Sequence, residues 1–545
     1  MSQSEIEQLN EGLKNVSIQP ASQRKSKEPN ELMEMIIQKV QATNEVTGTI
    51  KQPNKGSSMF EIPKNVKQRA LLMQISMATL ATFSAFSSGM ALGFPAITLQ
   101  ALTNETMSGD LTLSSEQGSW FASINTMACP LGGFLSACIL DRIGRKRTLF
   151  LINFISIVSW GIIACASNED FSLMYTQLLV ARFLIGINIG LTSAPPSIYS
   201  AEIAYPSIRG RLTLGTSFMI ALGIMLIYLL GYFFPSDWRL VSTIAAAICV
   251  VSLVALIPLP ESPVWLVSRA NDSQAEKSLK LFRGAHRNET QRPDIDFELQ
   301  ELQMQVSSDK VKRNNNDSAF RMLGHPEVYK PLLLMIALFA VQQFSGIFVI
   351  IVYASKFALE SNVAIDPFLA AVFIGVARVI ATICVCFVMD RFGRKPPLIF
   401  SGCGMAICMF GLAAYNGFEV TEYDWLPGLL LLLFIFTSTI GFLSIPFAMI
   451  AEVFPRKARG LGAGLTISAA YFMSFVAIKL YPTMIEHMSG VVICLIYGGI
   501  SVAGILFVHF LLIETKGKTL EEIEAHFKSK NDRESHEKER VFQIS

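Results

Sequence analysis

"DRIGRKR" (141–147) and "DRFGRKP" (390–396) are the strings on which the fold turns. Each directly follows an apolar run, and the two begin 249 residues apart. A second pair keeps the period. "EIAYPSIRG" begins at Glu202 and "EVFPRKARG" at Glu452, 250 residues apart, with the same spacing from Glu to Arg-Gly. Two independent motifs at one period predict a duplicated chain: six helices, a long loop, six helices. Two such halves facing each other across a midplane site make one large class of transporter.

Composition agrees. The 545 residues are 51% hydrophobic and 16% charged, with mean hydropathy +0.43, whereas soluble domains carry about 25% charge. About 20 apolar residues cross the hydrocarbon core as a helix. Twelve stretches are that long: 70–97, 117–140, 148–167, 172–195, 212–234, 239–258, 330–358, 366–389, 396–416, 426–450, 461–483 and 489–513. A backbone in lipid must satisfy its own hydrogen bonds, and segments this long do so as helices. The expected fold is an all-α membrane protein with twelve transmembrane helices in two six-helix pseudo-repeats. Its expected parts are a tail (1–69, largely disordered), two halves (70–258 and 330–513), a loop (259–329) and a second tail (514–545).

Charge placement predicts orientation. The connections after segments 2, 4, 8 and 10 carry Arg142-Arg145-Lys146-Arg147, Arg209-Arg211, Arg391-Arg394-Lys395 and Arg456-Lys457-Arg459. The connections 98–116, 359–365 and 417–425 hold no Lys or Arg. The positive-inside rule then places both termini and the 259–329 loop in the cytoplasm. No cleavable signal peptide is expected, with segment 1 serving as an uncleaved anchor. Asn104-Glu105-Thr106 is a glycosylation acceptor on the outer side, which suits the plasma membrane. All nine cysteines lie in apolar stretches and read as packing residues. No metal or cofactor is expected, and no nucleic acid. The partners are a small solute and the bilayer, and the chain reads as functional as a monomer.

The duplicated strings carry chemistry. Asp141, Arg142, Arg145, Glu202 and Arg209, with Asp390, Arg391, Arg394, Glu452 and Arg459, stand at helix ends on the positive side. Such groups pair with one another and with helix termini, and can lock helices in one state and release them in another. The bare requirement for positive loops asks only for Lys or Arg, not for the ordered string. The glycine inside each string permits a tight turn.

Arg378 stands twelve residues from Asp390, about 18 Å along a helix and so near the midplane. Gln342, twelve residues into segment 7, lies at a similar depth, which groups Gln342, Gln343, Ser345 and Arg378 in one polar layer. An amide offers both donor and acceptor to a hydroxyl; it also makes ordinary interhelical bonds. An arginine at the helix centre costs about 2.5–3.5 kcal/mol on insertion scales, so Arg378 is expected to face a cavity. The spans have no Asp or Glu in their middles, and the other deep cation is Arg182. Arg378 then donates to solute oxygens or to backbone carbonyls, or the cavity prefers an anion.

These residues resemble the sugar porters of the major facilitator superfamily over roughly 70–525. The motifs are D-R-x-G-R-K twice, "ARFLIGINIG" (181–190), "PESPVWL" (260–266), "QQFSG" (342–346) and "ETKGKTLEEIE" (514–524). Within them the sequence is similar to arthropod transporters of the facilitated trehalose type. The resemblance implies alternating access and a four-helix cytoplasmic domain in the 259–329 loop. It also implies that Gln342 and Gln343 contact sugar hydroxyls, with Tyr353 and Phe447 as walls. Several positions depart from the family pattern: Phe348 and Arg378 stand where asparagine is usual, Phe447 where tryptophan is, and Ser217 where glutamine is. Proton-coupled members carry an aspartate in the first span, and residues 70–100 contain no Asp or Glu. A proton relay needs a titratable group at depth, and Glu202 and Glu452 lie at the cytoplasmic face. The expectation is facilitated diffusion of a sugar, trehalose or a hexose. The alternatives are a different, anionic solute on the same scaffold, or a non-transporting nutrient sensor. No catalytic constellation appears, so an enzyme is not expected.

Overall fold

The computed structural model describes residues 64–103, 112–167, 169–285, 292–313, 323–361, 363–418, 423–455, 458–518 and 520–527. Asn104 and most of both tails lie outside the described residues, as do the side chains of Asp390 and Arg459.

Among the described residues the regular structure is helical throughout. All twelve expected segments are spans: Asn65–Thr103, Ser115–Ile143, Arg145–Ala164, Phe171–Ile203, Arg209–Phe233, Trp238–Ala255, Pro326–Phe344, Pro367–Met389, Lys395–Gly417, Leu426–Ile450, Gly460–His487 and Gly490–Phe510. They are numbered 1–12 below. The side carrying Arg145, Arg209 and Arg394 is called the basic face, and the opposite side the far face.

Spans 2, 4, 6 and 8 start at the far face behind a polar cap. Ser114 and Gln117 form a reciprocal capping box, while Asp170, Asp237 and Asp366 accept from the first turns of their helices. These side chains satisfy amides that an entering helix leaves orphaned.

Inside the first half, spans 2 and 4 approach at backbone distance. A Cβ on Gly186 would stand 2.1 Å from the Asn125 carbonyl, and one on Gly190 would stand 2.0 Å from that of Cys129. Small residues let backbones close up where lipid gives no hydrophobic drive. Arg182 staples the same bundle. It is fully buried and donates to Phe121 O (3.0 Å), Ala91 O (2.7 Å) and Ala122 O (3.2 Å).

Spans 7 and 10 are interrupted at mid-depth. Span 7 stops at Phe344, turns through Gly346 (φ +88°), and continues as Ile347–Val352 and Ala354–Glu360, with a further break at Tyr353. Span 10 widens into a π-turn at Thr439–Leu443. Ser401 Oγ accepts from the Phe442 amide there (3.2 Å). π-turns inside helices often mark functional positions.

The loop between the halves holds three helices among the described residues, Pro263–Ser268, Asp272–Phe282 and Pro293–Arg313. Its described hydrogen bonds reach the first half. Buried Gln74 donates to Phe282 O (3.0 Å) and accepts from the Tyr205 amide (2.9 Å). Arg283 donates to Ile203 O (3.1 Å), and Arg269 to Asp141 O and Arg142 O, both at 2.9 Å.

Candidate functional site

The basic face carries two matching clasps. Arg145 donates to Glu202 through Nε (3.0 Å) and Nη2 (2.8 Å), with Asp141 at 3.5 Å. Arg394 does the same to Glu452 through Nε (3.0 Å) and Nη2. Each pair has a third member that reading the two strings alone missed. Glu261 accepts from the amides of Arg145 (2.9 Å) and Lys146 (3.1 Å). Glu514 accepts from those of Arg394 (3.1 Å) and Lys395 (2.9 Å). Glu261 and Glu514 belong to "PESP" and "ETKG", just after spans 6 and 12, so their spacing of 253 residues was a readable signal. A carboxylate over the first amides of a helix is a charge-assisted cap. Burial opposes the charge on Glu514. The amides of Lys516, Lys395 and Arg394 and the charge of Arg394 outweigh it and hold the carboxyl below its ordinary value.

The string glycines are built for this contact. Gly144 has φ +96° and ψ 170°, and Gly393 has φ +86° and ψ −154°, a region that is essentially glycine's alone. Of the other expected gate residues, Arg142, Arg209 and Arg391 are exposed. Among the described residues the ion pairs of both clasps lie within one half each.

The mid-depth layer separates residues that the sequence grouped. Gln342 is committed to the protein: its amide nitrogen donates to Phe442 O (2.6 Å) and Leu443 O (3.1 Å) in the π-turn. Its oxygen accepts from Gln343 Nε2 (3.1 Å). Gln342 is thus held by the protein at both ends of its amide. Gln343 keeps a buried oxygen without a partner, and Arg378, 7% exposed, keeps Nη1 without one. The contrast with Arg182, which donates to three carbonyls, is plain. Ser345 Oγ donates to Gln342 O (3.0 Å) and Phe348 is buried in the core. Tyr353 is buried, donates to Ile478 O (3.3 Å) and stacks obliquely on Tyr481 at 5.0 Å. Phe447 is 40% exposed and meets Phe339 edge-on at 5.0 Å. Ser217 is exposed in the first turn of its helix, Gly215–Phe233. Tyr228 lies eleven residues further along that helix, about 16 Å away.

The far side is shut. Ser115 donates to Glu486, and Lys479 donates to Ser119 (2.6 Å) while lying 4.5 Å over the Trp120 ring. Trp120 and Phe475 are 5.9 Å apart. Ser355 donates to Ala96 O and Tyr228 to Ile351 O. These bonds join the halves in the portion of each span nearer the far face. The halves are bonded to each other at the far face, and each carries its own clasp at the basic face.

This arrangement defines a twelve-span transporter of the major facilitator fold. It is similar to the inward-open conformation of the xylose transporter XylE from E. coli, with a TM-score of 0.69 at 25% identity, over 83% of this chain and 99% of that one. XylE bound to 6-bromo-6-deoxy-D-glucose, a proton:xylose symporter, gives 0.67 at 24% identity, over 85% and 100%. Residues 72–527 match the family described as sugar (and other) transporter, and the chain belongs to that family. Among curated relatives, the facilitated trehalose transporter Tret1 of Bombyx mori is 31% identical, over 82% of this chain and 86% of its own. Tret1 of Culex quinquefasciatus is also 31% identical, over 82% and 84%.

Proposed function

We propose that the chain is a facilitative carrier of a neutral sugar, trehalose or a hexose, working by alternating access. The observation that carries the reading is the pair of unpartnered groups in the buried layer: the acceptor Gln343 Oε1 and the donor Arg378 Nη1. A solute hydroxyl both donates and accepts, so it can satisfy each of them. Buried polar groups left unpaired cost free energy, and a solute that pairs them recovers it. The names of the relatives support trehalose as the first sugar to test.

The basic face is the cytoplasmic one in this reading, with both termini inside, so the structure represents the inward-facing state. Asn104 is then an external glycosylation acceptor in the plasma membrane, and one chain suffices for transport. Glu202 and Glu452 are engaged by Arg145 and Arg394, which favours a gating role over proton carriage.

The test is counterflow in liposomes holding the purified full chain, with no proton gradient. Labelled trehalose and glucose are set beside small organic anions. Saturable exchange of a neutral sugar, unchanged by an imposed pH gradient, is expected. Exchange of anions alone would overturn the reading and assign Arg378 to a charged solute.

A further inference from the structure

Tyr228 connects three parts of the molecule described separately above. It is fully buried on span 5. Its hydroxyl donates to Ile351 O in the outer portion of interrupted span 7, across the boundary between the halves. The break at Tyr353 explains why that carbonyl is available, since the last carbonyls of a short helix have no partner within it. The ring is wedged between spans 1 and 8. A Cβ on Gly93 would stand 3.0 Å from Tyr228 Cε1, and one on Gly375 would stand 3.3 Å from its Cδ2. Gly375 is one turn before Arg378 on the same helix, so the ring packs on the span that carries the arginine.

We propose that Tyr228 is a positioning residue that ties the Arg378 layer to closure of the far side. With the far side shut, the hydroxyl is held by Ile351 O. When the halves part there, span 5 leaves span 7 and the bond breaks. A buried hydroxyl does not remain unpaired cheaply. The Arg378 Nη1, itself without a partner, is the donor assigned to the phenol oxygen in that state. Tyr228 thus has one partner in each state, and a solute on Arg378 competes for the second. The inference rests on the carrier reading but not on which solute is carried.

The test needs no solute. A reporter cysteine, Ser123→Cys, is placed in the full chain in proteoliposomes. Ser123 is fully buried one turn from Ser119, where span 2 meets Lys479 of span 11. Labelling from the far face by an impermeant thiol reagent then reports opening, after subtraction of the parent without the reporter. Tyr228→Phe keeps the ring and removes one hydrogen bond, so labelling is expected to rise about fivefold. Ser355→Ala removes the other bond to span 7 and should raise it similarly. The two then divide. The effect of Tyr228→Phe should be non-additive with Arg378→Ala, and that of Ser355→Ala additive with it. Unchanged labelling in Tyr228→Phe overturns the proposal. Additivity of Tyr228→Phe with Arg378→Ala reduces Tyr228 to packing and overturns it equally. Loss of sugar counterflow with the labelling pattern intact would instead count against the sugar reading alone.

Discussion

Gly144→Ala tests whether the basic-face clasp is built around a residue without a side chain. At φ +96° and ψ 170° a non-glycine residue costs on the order of 1–3 kcal/mol. The added Cβ would also stand 2.4 Å from Glu261 Oε2 and 3.3 Å from Trp265 Cε2, so the carboxylate must retreat. Glu261 accepts from the amides of Arg145, Lys146 and Ser262, and losing one charge-assisted bond costs about 1.5–3 kcal/mol. Together the loss is about 2.5–6 kcal/mol. Gly133 is the internal control, since a Cβ there meets nothing within 4 Å and alanine is the better helix former. Melting of the purified full chain is the first assay. Gly144→Ala should melt about 2–5 °C lower and Gly133→Ala no lower than the parent. Gly393→Ala, with its Cβ 2.9 Å from Glu514 Oε1, should repeat the effect in the second half. If both string variants melted with the parent, the carboxylate cap would not be a structural element and the argument from φ would fall.

Gln342→Leu should lower stability, because it strips the π-turn carbonyls of their donor; Gln343→Leu should leave melting nearly unchanged and weaken sugar affinity in counterflow. Arg182→Lys should destabilise by more than about 2 kcal/mol, since one ammonium does not reproduce a fork on three carbonyls; a melt within a degree or so of the parent would contradict this. Lys479→Met removes the bond to Ser119 and the contact with Trp120, and should increase far-face thiol labelling of Ser123→Cys. Glu514 has its carboxyl held below the ordinary value. Its contribution is therefore complete above about pH 4.3 and lost as pH falls through the lowered value. The melting gap between the parent and Glu514→Gln should be level near neutrality and close in acid.

The fold was legible because its signals are long and repeated. Twelve apolar runs became twelve spans, and the 249-residue period between the strings became two equivalent clasps. The site was only partly legible. Depth along a helix is set by the rise per residue, which is what grouped Gln343 with Arg378 from the sequence. Direction around the helix was not available from counting. Gln342 and Gln343 are adjacent in sequence, yet one is spent on the π-turn and the other keeps a vacant oxygen. The π-turn has no composition signal of its own, since its geometry depends on Gly441 packing against Ser401 of span 9. Tyr228 escaped notice because a tyrosine in an apolar run reads as packing until its cross-half partner is seen.

The two clasps have a consequence for how the chain is joined. In each half the carboxylate that closes the clasp comes from just beyond the final span, and it seals onto the turn between that half's second and third spans. Each half is therefore a ring fastened on itself, and the helices Pro263–Ser268 and Asp272–Phe282 belong to the first ring, since Arg269 donates to the same turn and Arg283 to Ile203 O. A gene cut between these helices and span 7 should yield two fragments that fold separately and, when made together, rejoin through the far-face contacts into a working carrier. Cutting instead just before Glu514 would unfasten one ring and leave the other closed.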